Sequence, residues 1–208
     1  MIGYYNYTVI LTYVGFLCGS VGLYSAANGR TNLAIIMLML AGFCDMFDGA
    51  VAATKERDEL EKKFGIQIDS LSDLICFGVF PAVFVCMVCE GSRLSVFCGG
   101  VYVLCALIRL AYFNVTEEER QKDETGSRKY YQGLPVTAAA LLLPAVYIIE
   151  GYMPSASMQG FCFVLFAMAI AFILPFRLSK PHLAGKLVLV VTGAVLFALL
   201  IMGLGTAV

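Results

Sequence analysis

Four carboxylates, Asp45, Asp48, Asp69 and Asp73, stand within or beside sequence apolar enough to span a bilayer. They fall in one stretch that reads D-M-F-D-G-A-V-A, then A-T-K-E-R-D-E-L-E-K-K-F, then G-I-Q-I-D-S-L-S-D. A carboxylate taken out of water alone is costly, and four gathered in two pairs call for a cation or a proton task. Any fold for this chain must bring both pairs to one polar place and give everything around them an apolar setting.

The surroundings narrow the choice. Of the 208 residues 60% are hydrophobic and only 14% charged, and the mean hydropathy is +0.84. That excludes an ordinary soluble domain, and long unbroken apolar runs exclude the short alternating strands of a β-barrel. The runs predict an all-α, polytopic integral membrane helical bundle. Seven spans are expected, at about residues 5–27, 31–54, 67–90, 94–115, 133–152, 157–176 and 185–206, each near the ~20 residues a bilayer requires. The short break between the last two, Phe176 to His182, leaves six to eight open. The first run follows no basic segment and ends in no A-x-A site, so it reads as a helix and not as a cleaved signal.

Other chemistry is thinly supplied. The eight cysteines include only one C-x-x-C, Cys86 and Cys89, inside an apolar run, and read as packing residues. His182 is the single histidine, which leaves little for a zinc site or a histidine-based triad. The sequons at Asn6 and Asn114 read as chance matches, and no nucleic-acid partner is expected.

Basic residues orient the bundle. Eleven of the fourteen Lys and Arg fall in alternate loops, among them Lys55, Arg57, Lys62, Lys63, Arg120, Lys122, Arg128, Lys129, Arg177, Lys180 and Lys186. Under the positive-inside rule the N-terminus is cytoplasmic and the C-terminus lies outside, in a plasma membrane. Asp45 and Asp48 then lie toward the cytoplasmic end of span two, and Asp69 and Asp73 in the first turns of span three. Arg109, the one basic residue inside a span, comes to the same level.

Three further features carry expectations. Gly15-x-x-x-Gly19 forms a small-residue face for close helix packing, within the chain or in a homodimer. Thr116-Glu117-Glu118-Glu119 fits a capping box and predicts a short surface helix to about Lys122. Arg128-Lys129-Tyr130-Tyr131 suits the headgroup zone, either as an ordinary interfacial belt or as phosphate-binding residues. There is no internal repeat or soluble domain, so residues 1–208 read as one membrane-embedded domain with a core at about 6–140 and accessory spans over 157–208.

Asp45 and Asp48 are three apart and Asp69 and Asp73 four apart, so each pair lies on one helix face. Two antiparallel helices meeting on those faces would gather four carboxylates. Mg²⁺ or Mn²⁺, two ions by preference, would relieve their repulsion, since hard cations favour carboxylate oxygen. Such ions also bind phosphates. Gly49, and Ala52 four beyond Asp48, leave a groove beside the site.

These residues carry a resemblance. D-x-x-D-G-x-x-A followed by G-x-x-x-D-x-x-x-D resembles the signature of the CDP-alcohol phosphatidyltransferases, here Asp45, Asp48, Gly49, Ala52, Gly65, Asp69 and Asp73. The run from Asp69 to Gly78 with Pro81-Ala82, Arg109 to Val115, and Gly133-Leu134-Pro135-Val136 are similar to the phosphatidylserine synthase branch. The resemblance implies transfer of a phosphatidyl group from CDP-diacylglycerol to L-serine. It implies Asp45, Asp48, Asp69 and Asp73 as metal ligands, Asp73 also as general base, and cytidine diphosphate beside Gly49, Ala52 and Gly65. Arg109 is expected to hold the serine carboxylate or a lipid phosphate, with Arg128 and Lys129 as further phosphate-binding candidates. The family's Arg after the Ala is here Ala53, and the spacer to Gly65, residues 54–64, is longer than usual. Lys55 or Arg57 could reach back only from a loose helix end.

Alternatives remain. The acceptor could be glycerol 3-phosphate or inositol phosphate, although one intramembrane Arg favours an uncharged hydroxyl. The carboxylates could serve a cation or proton transporter, although no paired repeats are seen. Ala53 would suit a family-like chain without turnover.

Overall fold

A computed structural model describes residues 3–123, 130–152, 159–179 and 183–203. Among these, apolar helices dominate: α1 (Ile10–Ala27), α2 (Thr31–Ala52), α3 (Glu59–Asp73), α4 (Phe80–Val88), α5 (Arg93–Asp123), α6 (Ala139–Tyr152), α7 (Gln159–Ile173) and α8 (Leu183–Ile201). A π-helical turn, Leu74–Val79, joins α3 and α4 into one rod. The result is seven rods in a polytopic membrane bundle. Four, Tyr7–Ala27, Thr31–Ala52, Glu59–Val88 and Arg93–Glu119, are long and apolar enough to cross a bilayer. Large apolar side chains such as Leu17, Phe97 and Phe163 are more than half exposed, as a lipid-facing surface requires.

Lipid is as apolar as a leucine side chain, so close packing must hold such a bundle together. Thr12, Gly15, Gly19 and Gly22 form a buried stripe on α1. A methyl on Gly15 would stand 3.1 Å from the Cys44 Cβ on α2. One on Gly19 would collide with the Cys76 sulphur, and one on Gly22 would stand 2.5 Å from the Phe80 ring. The small-residue face is therefore filled from within the chain by both carboxylate-bearing rods, with no room for a second copy. Phe84, fully buried, meets Tyr147 and Phe161 edge to face at 6.2 and 6.1 Å. The Tyr147 and Thr31 hydroxyls, 3.0 Å apart, tie α6 to the start of α2.

Two cross-links fix α5 against the α3–α4 rod. The Ser70 hydroxyl donates to Asn114 Oδ1 at 2.7 Å. The buried Tyr102 hydroxyl donates to the Phe77 carbonyl at 2.6 Å. Pro81 has no N–H for the helical bond to the carbonyl four residues back, that of Phe77, and the tyrosine serves it instead.

Some expectations are corrected. Thr116 starts no new helix: α5 continues to Asp123, and the Thr116 hydroxyl donates back to the Phe113 carbonyl at 3.1 Å, because a helix already in progress leaves no free N–H to cap. Span three begins earlier, at Glu59, where the Asp58 side chain accepts from the Glu61 amide at 2.7 Å. The all-α bundle stands as expected, with one short antiparallel ladder added to it, Tyr130–Gln132 against Arg177–Ser179. The eight cysteines are free thiols, with Cys89 packed on Cys162 at 3.8 Å between sulphurs. Both sequon asparagines are occupied: Asn6 caps a short turn and donates to Glu61 at 3.2 Å, and Asn114 accepts from Ser70.

Gly19→Ala should cost about 1–3 kcal/mol by overpacking, read as a lower midpoint of thermal unfolding in detergent. Cys76→Ala should relieve part of that cost in the double variant, and strict additivity would show that the sulphur is not what the new methyl meets.

Candidate active site

The two carboxylate pairs reach one place because α2 and α3 run antiparallel, with α1 laid across both. Asp45 faces Asp73, and Asp48 faces Asp69, within hydrogen-bonding reach. One oxygen from each of Asp45, Asp48 and Asp69 lies within 4.8 Å of the others. The Thr12 hydroxyl donates to Asp48 Oδ2 at 3.3 Å. Thr12, Asp45, Asp48, Asp69, Ser72 and Asp73 line a cavity of about 10 Å³, roughly the space of one water or ion. Among the described residues no Lys, Arg or His lines it. Half-buried carboxylates with a hydroxyl and no cation form an all-oxygen donor set, which suits a hard divalent cation. The fit rests on these donors and their convergence.

The groove residues lie one turn away. A methyl built on Gly49 would meet nothing within 4 Å, so this face of α2 is open. The helix ends at Ala52, and Ala52 and Ala53 line a cleft of about 530 Å³ with Lys55, Glu56, Arg57 and Lys62. Lys55 pairs with Glu61 at 3.2 Å. Arg57 lies over Gly65, its Nη1 3.0 Å from where a Gly65 methyl would be.

Arg109 is placed differently from the carboxylates. The Ser70–Asn114 and Phe77–Tyr102 links set it level with Asp73 on the antiparallel helix. It does not line the carboxylate cavity. Its guanidinium lies beside Gly133 at the end of α7: a methyl on Gly133 would stand 2.9 Å from Nη1 and 3.0 Å from the Phe172 carbonyl oxygen. Gly133 also has φ +70°, so both its space and its backbone call for glycine. Arg128 and Lys129 lie outside the described residues.

Thr12 and Ser72 went unnoticed in the sequence. Thr12 lies three residues before Gly15, on the same helix face, and extending the small-residue stripe backwards would have found it. Ser72 carries no such signal.

The sequence profile of the CDP-alcohol phosphatidyltransferases matches residues 5–204. The chain belongs to the CDP-alcohol phosphatidyltransferase family. It is 31% identical over 165 residues to the archaetidylserine synthase of Methanothermobacter thermautotrophicus, covering 79% of this chain and 65% of that protein. It is 41% identical over 115 residues to the CDP-diacylglycerol–serine O-phosphatidyltransferase of Saccharomyces cerevisiae, covering 54% and 41%. With the Bacillus subtilis protein of that same name the identity is 25% over 180 residues, covering 85% and 91%. The chain thus spans less than two thirds of the first two relatives and nearly all of the third.

The geometry predicts graded losses of Mn²⁺ binding, measured by the free-ion electron paramagnetic resonance signal. Asp69→Asn should abolish tight binding. Thr12→Val, which only frees Asp48 to turn, should weaken it about tenfold. Unchanged binding in Asp69→Asn would exclude this cluster as the ligand set.

Proposed function

We propose that this CDP-alcohol phosphatidyltransferase moves the phosphatidyl group of CDP-diacylglycerol to L-serine, giving phosphatidylserine and CMP. The observation that carries the reading is the oxygen-only carboxylate cluster beside the open face of Gly49 at one end of a membrane bundle. The two serine-transferring relatives, from yeast and Bacillus subtilis, support the choice of acceptor.

Asp45, Asp48, Asp69 and Asp73 would hold the divalent ions, Mg²⁺ or Mn²⁺. Such ions supply charge neutralisation and polarisation at the phosphoryl group. Gly49, Ala52 and Gly65 leave space for the nucleotide. Asp73 takes the proton of the serine hydroxyl, a poor nucleophile until it is deprotonated. The serine oxygen forms a bond to the phosphorus that carries the diacylglycerol, and the bond from that phosphorus to the CMP oxygen breaks. Asp73 sits deepest in the carboxylate pair on α3, immediately before the π-helical turn, where wider backbone turns often mark functional positions. Arg109 holds the serine carboxylate or a lipid phosphate, and Arg128 and Lys129 serve phosphates in the headgroup zone. The acyl chains lie along the apolar helices. The proposed setting is the plasma membrane with the site at its cytoplasmic face, and the basic loops support that orientation.

The test is CMP release from purified protein with CDP-diacylglycerol and Mn²⁺ or Mg²⁺, comparing serine, glycerol 3-phosphate and inositol phosphate, with EDTA as control. Metal-dependent release with serine alone is expected, and release with another acceptor would change the substrate. Asp73→Asn should lose turnover at least a hundredfold while still binding CDP-diacylglycerol, and retained turnover would remove it as the base. Arg109→Ala should raise the KM for serine well above any change for the lipid. Gly49→Ala should be neutral or up to about 1 kcal/mol stabilising in the helix, yet weaken nucleotide binding. A variant both stable and fully active would place the nucleotide elsewhere.

A further inference from the structure

The segment after α2 holds a cation with donor capacity left over. Its neighbour Lys55 is taken by Glu61, which accepts at 3.2 and 3.4 Å from the Lys55 ammonium and at 3.2 Å from the Asn6 amide. Arg57 is held otherwise. Its Nε is buried from solvent and has no hydrogen-bond partner among the described residues, a costly state for a charged donor. Its Nη1 lies against Gly65, the one residue type that admits it so closely, and it lines the open cleft with Ala52 and Ala53.

The position of this cleft gives the donor a use. Ala52 follows Asp48 by four residues and Gly65 precedes Asp69 by four, so each lies one helical turn from the carboxylates on the same helix face. One turn is about 5.4 Å, a step that the outer oxygens of a diphosphate, whose phosphorus atoms share one bridging oxygen, can cover together with the hydrogen bonds they accept. A phosphoryl group at the carboxylate cluster would set the adjoining phosphate toward the guanidinium. Ala53 is small and leaves that space open.

We infer that Arg57 binds a phosphate of the nucleotide diphosphate, one turn from the carboxylates, and so positions the leaving group. This rests on the reading of the site as one of CDP-linked transfer. A planar guanidinium with parallel N–H donors matches phosphate oxygens, and charge-assisted bonds of this kind are among the strong ones.

The experiment measures calorimetric binding of CDP and of cytidine, at saturating Mn²⁺, to protein in phosphatidylcholine nanodiscs. Arg57→Ala and Arg57→Gln should each weaken CDP binding by roughly 10- to 100-fold, leaving cytidine and Mn²⁺ affinities as in the wild type. Preserved Mn²⁺ binding reports an intact fold. Arg57→Lys should recover part of the loss. Ala53→Arg in the Arg57→Ala background should recover more, since it returns a guanidinium to the same cleft. CDP affinity unchanged in both Arg57 variants, with CMP still released by the wild type, would overturn the role of Arg57 and leave the transfer reading standing. A wild type that neither binds CDP nor releases CMP would overturn both. If the loss appears only in discs containing phosphatidylglycerol, the guanidinium holds a bilayer headgroup phosphate, and the assignment to the nucleotide falls.

Discussion

Gathering carboxylates inside a membrane bundle is the constraint on which the rest depends. Two helices can carry acidic pairs through an apolar medium only if the pairs face each other and share a counter-charge. Among the described residues the lining of the cavity provides none: Asp45, Asp48, Asp69 and Asp73 meet there without a Lys, Arg or His, an arrangement that a bound cation would complete. The bare glycine stripe of α1 follows from the same demand. A third helix must press against both acid-bearing rods, and only Gly15, Gly19 and Gly22 allow its backbone close enough to place Thr12 beside Asp48.

The bundle separates holding from handling. Aromatic side chains such as Phe84 and Tyr147 close the interior well away from the acids. The polar work is concentrated where α2 stops at Ala52 and a segment with its own hydrogen bonds takes over. Asp58 caps α3, while Asn6 and Lys55 converge on Glu61. That segment is anchored at several points yet leaves the groove beside Gly49 open, as the proposed lipid-linked nucleotide would require.

Much of this was legible in the residues. The spacings of three and four announced that each acid pair shares a face, and the basic loops announced that both pairs lie at one end. The long apolar runs also gave the seven rods and most of their bounds. They were silent on lateral position. Arg109 came out level with Asp73 but beside Gly133, because the height of a residue follows from the count along a helix whereas its neighbour depends on rotation and on the packing of α7. The capping-box pattern at Thr116 misled because local rules describe what a segment can start, and a helix already running overrides them. The ladder between Tyr130–Gln132 and Arg177–Ser179 joins segments far apart in the chain, which local pattern does not reveal.

Pro81 shows how a missing atom can organise a site. Because the proline has no proton to give, the Phe77 oxygen takes one from Tyr102 on another helix, and a bond that would have stayed within one rod becomes a pin between two. That pin helps set how far α5 slides along its neighbour, and so the height at which Arg109 stands relative to Asp73. The alignment of the charged groups therefore depends partly on a residue two turns away that touches none of them. Sequence change at position 81 or 102 would act on the chemistry as a shift in register, with every reactive side chain still in place.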